Sequence, residues 1–145
     1  GWQWTPDLIW FDNLTSYGTP NYYVQKLFAT NSGTHLIPVT YQDKPSTGQD
    51  KLYASAVIDK EKNQVIVKIV NASDQAQQKE ISFEGVKKSG AKGTLTVLKN
   101  DNLDGVNSIE KPENISPVDE EISMKGRKVN LTLAPHSLNV VKINL

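Results

Sequence analysis

The sequence predicts a mainly β fold: an antiparallel β-sandwich of Greek-key or jelly-roll type, preceded by a single strand–loop–helix unit. Three observations lead there. From Lys51 onward the apolar residues fall in short runs separated by turn residues, as in a sandwich. Before residue 30 the pattern is different, with Trp2, Trp4, Trp10, Phe11, Tyr17, Tyr22, Tyr23 and Phe28 crowded together. Between the two lies a stretch rich in Pro, Ser, Thr and Gly, from Leu36 to Gly48, which marks a connection. The expected organisation is therefore 1–35, a connection over 36–50, and the sandwich over 51–145.

In the first part, Leu8-Ile9-Trp10-Phe11 is a continuously apolar run, of the kind shown by a strand buried on both faces. Asp12 and Asn13 end it. Thr19 suits an N-cap and Pro20 the first helical position, while Val24, Leu27 and Phe28 share one helical face and Gly33 supplies a stop. A strand followed by a helix is one unit of a parallel α/β fold and cannot bury both faces of its strand alone.

In the second part, strands are expected over Leu52–Ile58, Val65–Val70, Lys79–Phe83, Thr94–Leu98, Val129–Leu133 and Leu138–Leu145. Val129, Leu131 and Leu133 alternate with Asn130 and Thr132, the pattern of a strand with one wet face. Residues 59–63, Asp-Lys-Glu-Lys-Asn, form a hairpin loop, and Ala134-Pro135-His136 separates the last two strands. The polar stretch from Asn100 to Pro117 is expected to be a long connection with one short strand near its end, as a Greek-key crossing requires.

Composition narrows the function. Lys plus Arg equal Asp plus Glu at 16 each, so the basic footprint of a nucleic-acid or anionic-membrane binder is absent and neither partner is expected. There is no cysteine, which excludes disulfides and thiolate metal sites. No apolar run has the length of a membrane span, and Gly-Trp-Gln-Trp at the start lacks a signal-peptide pattern. The start at Gly1 rather than Met suggests an excised beginning and a natural protein that extends upstream.

Glycoside hydrolysis needs two carboxyl groups across the scissile bond, about 5 Å apart in retaining enzymes. Glu80, Glu84, Asp101, Asp104, Glu120 and Glu121 stand instead among Lys and Asn or on wet faces, and read as solvated surface. No catalytic pair is expected. His35 and His136 lack acidic or cysteine neighbours at ligand spacing, so no metal or other cofactor is predicted. Ser137, one residue from His136, cannot be held against it as a nucleophile. Four Asn-X-Ser/Thr matches begin at Asn13, Asn71, Asn114 and Asn130, and so short a motif occurs by chance. Asp12 and Asn13 differ from the other polar residues by following a buried-type strand at its C-terminal end, where barrel enzymes build their sites. The plainer alternative is that they close the strand-to-helix loop.

The segment Trp4-Thr-Pro-Asp-Leu-Ile-Trp-Phe-Asp-Asn13, with Ser16-Tyr-Gly-Thr-Pro-Asn-Tyr-Tyr-Val-Gln-Lys-Leu-Phe28, resembles the end of the catalytic barrel of glycoside hydrolase family 51 α-L-arabinofuranosidases. Asn107-Ser-Ile-Glu-Lys-Pro-Glu-Asn-Ile-Ser-Pro117 and Leu133-Ala-Pro-His-Ser137 resemble the C-terminal sandwich of the same family. The resemblance implies a (β/α)8 barrel whose eighth strand is Leu8–Phe11 and whose eighth helix is Pro20–Thr30. It implies a retaining parent enzyme acting on terminal arabinofuranosyl groups of arabinan or arabinoxylan, with both catalytic glutamates upstream of Gly1. The chain alone would then be inactive, with Trp10, Asp12 and Asn13 nearest the substrate. The barrel of the parent chain is the expected partner, and Trp2, Trp4, Trp10, Tyr22 and Tyr23, stripped of it, are expected to form an apolar patch through which the chain self-associates. Export of the parent is an expectation that no segment here carries a signal for. Two roles compete for the sandwich: support of the barrel, or a carbohydrate-binding module. The second is poorly supplied with platforms, since after residue 50 only Tyr53 and Phe83 are aromatic.

Overall fold

The computed structural model describes residues 8–86 and 90–145. Its elements in chain order are β1 (Ile9–Phe11), β2 (Ser16–Gly18), α1 (Pro20–Thr30), β3 (His35–Ile37), β4 (Thr40–Tyr41), β5 (Lys44–Pro45), β6 (Leu52–Asp59), β7 (Gln64–Asn71), β8 (Gln77–Ser82), β9 (Lys92–Lys99), β10 (Val118–Ser123), β11 (Lys128–Leu133) and β12 (Ser137–Asn144). The fold is mainly β with antiparallel pairing, as the alternation of apolar and polar residues requires.

A six-stranded sheet in the order β10-β9-β12-β7-β6-β3 faces a two-stranded sheet of β11 and β8. The chain leaves the large sheet after β7, returns at β9, leaves again after β10 and returns at β12 between β9 and β7. These crossings give the sandwich its Greek-key character.

Side-chain parity places the core. Leu52, Ala56, Val65, Val67, Ile69, Leu95, Val141 and Ile143 point from the large sheet toward Val129, Leu131 and Leu133 of β11. The opposite parity, Val57, Ile66, Leu98, Leu138 and Val140, points away and is covered by Leu27 of α1 and Ile115 of the β9–β10 loop. The centre of the large sheet is thus buried on both faces, which explains the nearly continuous apolar runs of β7 and β12. Val140, Val141 and Ile143 are wholly buried, and such a side chain contributes roughly 1.5–3 kcal/mol relative to exposure.

Helix α1 occupies the expected residues. Thr19 is its N-cap, its hydroxyl accepting from the Tyr22 N–H at 3.3 Å, and Pro20 follows at the first position. The helix ends where Asn31 turns its side chain back to the Leu27 carbonyl at 2.8 Å, and Gly33 takes a left-handed φ of 64° against Val57. An added Cβ there would stand 2.6 Å from a Val57 methyl. Asp59 closes the expected β6–β7 hairpin by accepting from the Glu61 and Lys62 N–H groups at 3.1 and 3.0 Å.

Three segments differ from the sequence reading. Residues 36–50, expected to be a plain connection, contribute Leu36 and Ile37 to β3 at the edge of the large sheet and carry the small β4–β5 pair. The short strand expected near the end of 100–117 lies just beyond it, at β10, on the edge of the large sheet, where its acids are exposed. Leu8–Phe11, read as a strand buried on both faces, here pairs antiparallel with β2, and Ile9 and Phe11 are exposed.

Candidate functional site

The β1–β2 hairpin carries the residues that the sequence singled out. Trp10 stands opposite Tyr17 in the register and stacks on it, with ring centroids 5.6 Å apart and planes 18° from parallel. Asp12 and Asn13 form the tip, both exposed. The Asp12 Oδ1 accepts from the Leu14 N–H at 2.8 Å, the Thr15 N–H at 2.7 Å and the Thr15 hydroxyl at 3.0 Å. The Leu14 N–H, with the two Thr15 donors behind it, holds the carboxyl below the usual range. Asp12 therefore closes its own turn. The structure brings Trp10, Asp12 and Asn13 onto one hairpin without joining them to any acid of the sandwich.

The hairpin runs directly into α1. The Leu8 carbonyl accepts from both the backbone N–H and the hydroxyl of Thr19, at 2.8 and 3.0 Å, so one residue caps the helix and ties down the start of β1. Gly18 lies under the Tyr22 ring, where a Cβ would come within 2.3 Å of Cδ1. Tyr22 meets Tyr23 edge-on at 5.3 Å. Burial, then the nearby Glu113 and then Tyr22, raise the Tyr23 hydroxyl above its ordinary pKa.

From the sandwich side, two features hold this unit. Lys68, buried on β7, donates to the Asn31 carbonyl at the C-terminus of α1 and lies 5.2 Å from the centre of the Phe28 ring. A cation suits the negative end of the helix, while burial lowers the pKa of this lysine. The second is Asn107 in the β9–β10 loop, only 3% exposed. Its Nδ2 donates to the Gly18 carbonyl at 2.8 Å and the Ile115 carbonyl at 2.9 Å, and its Oδ1 accepts from the Ile115 N–H at 2.7 Å. Neither Asn107 nor Gly18 emerged as a site residue from the sequence. The only signal was that Asn107 opens a segment already notable for its resemblance.

Between α1 and the outer face of the large sheet runs an apolar groove of about 370 Å³, bordered by Val24, Phe28, Leu98, Leu103 and His136. Ser137 donates to the Ala134 carbonyl at 2.7 Å, so its hydroxyl is engaged away from the His136 ring. His35 meets the Thr34 hydroxyl at 2.9 Å and Lys60 at 3.4 Å. Among the described residues, no cluster of His, Cys, Asp or Glu has the makings of a metal site, and no helix is long and apolar enough to cross a membrane. Asp59 is the one buried acid among them, and it serves its hairpin turn. Glu80, Glu84, Asp101, Asp104, Glu120 and Glu121 are all exposed.

The apolar surface expected on this unit is distributed differently from the sequence reading. Trp10, Tyr22 and Tyr23 are half-buried against their neighbours, and the large apolar side chains exposed among the described residues of this unit are Leu8, Ile9, Phe11 and Leu14 on the hairpin and Phe28 on the helix. Trp2 and Trp4 lie outside the described residues.

An antiparallel sandwich with a helix docked on its outer face and a hairpin presented beside it defines the class: a β-sandwich domain that carries a helix and a hairpin on one side. Residues 2–137 match the family model described as the alpha-L-arabinofuranosidase C-terminal domain, and the chain belongs to that family. Among curated relatives it is 31% identical over 144 residues to alpha-L-arabinofuranosidase 1 of Arabidopsis thaliana, covering 94% of this chain and 20% of the relative. It is 30% identical over 141 residues to a probable alpha-L-arabinofuranosidase A of Aspergillus flavus, covering 96% and 21% respectively. Among solved structures it is similar to an arabinose-bound GH51 α-L-arabinofuranosidase, with a TM-score of 0.82 and 27% identity over 98% of this chain and 22% of that one. A Thermotoga maritima α-L-arabinofuranosidase shares the fold at a TM-score of 0.77 and 22% identity, over 94% and 31%. The chain thus spans about a fifth of the length of these curated relatives.

Proposed function

We propose that this chain is the noncatalytic C-terminal portion of an α-L-arabinofuranosidase, in which the sandwich packs against the catalytic barrel and steadies it. The observation that carries this reading is the exposed apolar set Leu8, Ile9, Phe11 and Leu14 on a hairpin that is itself anchored to the sandwich. An exposed strand of this composition needs covering by further structure. In this reading β1 is the last barrel strand and α1 the last barrel helix, with residues 1–35 belonging to the barrel, 36–50 to the passage between domains and 51–145 to the sandwich. The two catalytic glutamates belong to the remainder of the barrel, which hydrolyses terminal arabinofuranosyl groups of arabinan or arabinoxylan. Trp10, Asp12 and Asn13 stand at the substrate side.

The test is enzymatic. The 145-residue chain is expected to release no 4-nitrophenol from a 4-nitrophenyl arabinofuranoside, while the longer enzyme that contains it does. Activity of the 145-residue chain above a blank would overturn the assignment. Left uncovered, the same apolar set supports self-association of this chain, visible as concentration-dependent sedimentation. The alternative role of carbohydrate-binding module rests on Tyr53, whose exposed ring packs on Gly48, since Phe83 is buried in the core. Saturable binding of arabinan or arabinoxylan at millimolar sugar would favour it over the supporting role.

A further inference from the structure

We propose that Asn107 is a positioning residue, through which the sandwich fixes the place of the β1–β2 hairpin and hence of Trp10 and Asp12 beside the substrate. This rests on the reading of β1 as the last barrel strand.

The argument begins with the number of bonds one side chain makes. Asn107 is buried, and its amide uses both its donor and its acceptor capacity: two carbonyls receive its N–H groups and one N–H reaches its oxygen. Two of these bonds lie within the β9–β10 loop, at Ile115, and fix the orientation of the amide. The remaining one crosses to Gly18, 89 residues earlier. The Gly18 carbonyl is part-buried at this bond and is penalised if it loses its partner, so the hairpin has one preferred seat on the loop.

The surroundings leave no slack on either side of that bond. Gly18 is pressed beneath the Tyr22 ring. Gly105, two residues before Asn107, is so closely packed that a Cβ would meet the Asn100 Nδ2 at 1.9 Å and the Ile115 Cδ1 at 3.1 Å. Ile115 is itself buried against Leu27 and the outer face of the large sheet. The loop is therefore rooted in the sandwich core, and Asn107 is its arm to the hairpin. Gly18 adjoins Tyr17, Tyr17 stacks on Trp10, and Trp10 precedes by two positions the Asp12 that closes the tip. A shift at Gly18 must move this stack, since the rings are in contact and the turn is held by its own hydrogen bonds.

The experiment uses two substitutions that attack the contact from opposite sides. Asn107→Asp keeps an acceptor for the Ile115 N–H but sets a carboxylate oxygen against the carbonyls of Gly18 and Ile115. Gly18→Ala pushes the strand off the Tyr22 ring. Val129→Ala, in the core on the far face of the large sheet, serves as a variant that loses stability without touching the hairpin. In the longer arabinofuranosidase, each of the first two is expected to raise KM for a 4-nitrophenyl arabinofuranoside about ten-fold with kcat within about two-fold, the signature of lost binding rather than lost chemistry. Their effects are expected to be non-additive in the double variant, and Val129→Ala is expected to leave KM unchanged. Amide hydrogen exchange of the 145-residue chain is expected to quicken in residues 9–18 of Asn107→Asp and not in β6 or β7. Unchanged exchange in the hairpin would show that the contact does not hold it, and quickened exchange with unchanged KM would show that it holds nothing the substrate feels. An equal rise of KM in Val129→Ala would reduce Asn107 to a stabilising residue. A longer enzyme without arabinofuranosidase activity would refute the reading of the parent and with it the positioning role, while the exchange result would still decide the contact.

Discussion

At the scale of single residues, polar side chains with several partners matter more than isolated charges. Asn71 is wholly buried; its Nδ2 donates to the Gln75, Leu133 and Ala134 carbonyls, and its Oδ1 accepts from the Ser73 N–H and hydroxyl. It ties the β7–β8 turn to the β11–β12 turn, so Asn71→Ala is expected to cost at least about 2 kcal/mol in urea unfolding, from more than one orphaned buried group. The same burial bars this sequon from carrying a glycan on the folded chain. Asp12 gives a pH signature. Its folded pKa is depressed, so its contribution is complete above the unfolded value of 3.8 and is lost as pH falls through the lower folded value. An NMR titration is expected to place its carboxyl midpoint below 3.8. Lys68 acts in the same sense, but in the alkaline range. Burial lowers its folded pKa beneath 10.5, so the unfolded chain holds more protons between the two values and stability gains from this group as pH rises toward 10.5. Lys68→Met is expected to abolish that gain in denaturation curves recorded from neutral to alkaline pH.

At the scale of elements, the core of the sandwich is where a single truncation should cost most. Leu133 on β11 is 1% exposed, and Leu133→Ala is expected to lower the unfolding free energy by about 2–5 kcal/mol with an unchanged denaturant slope. The central strands were legible because β6, β7, β9, β11 and β12 bury enough of their length to impose apolar runs or alternation on the sequence. Helix α1 was legible for a different reason, since Thr19, Pro20 and Gly33 mark its ends locally. What was missed or misplaced lies at the edges. β3 has Leu36 exposed, and β10 carries Asp119, Glu120 and Glu121 outward, so neither shows the pattern of a buried strand. The acids on β10 do have a physical use, because charge on a free edge discourages pairing with another chain. In the candidate site the turn at Asp12 was readable from a local Asx signal, whereas the partnership of Asn107 and Gly18 joins distant parts of the chain and leaves no local mark.

At the scale of the whole molecule, one sheet serves two neighbours. Its inner face packs on β8 and β11, and its outer face on α1 and the loop after β9. On the proposed reading of α1 as the last barrel helix, its seat on the outer face is the means by which the sandwich would support the barrel. Removing the loop contact of Ile115 should loosen α1 while sparing the inner core. Ile115→Ala is expected to lower the midpoint of urea unfolding and to quicken amide exchange first in residues 20–30. The distance along the chain between Gly18 and Asn107, 89 residues, also bears on synthesis. A ribosome releases the hairpin well before it releases the loop that receives it, and long-range contacts of this kind form late. The hairpin must therefore wait for its seat, with the Gly18 carbonyl lacking the Asn107 amide, until most of the sandwich has emerged. A nascent chain of this sequence is most in need of a chaperone during that interval, and one cut short before Asn107 would never seat the hairpin.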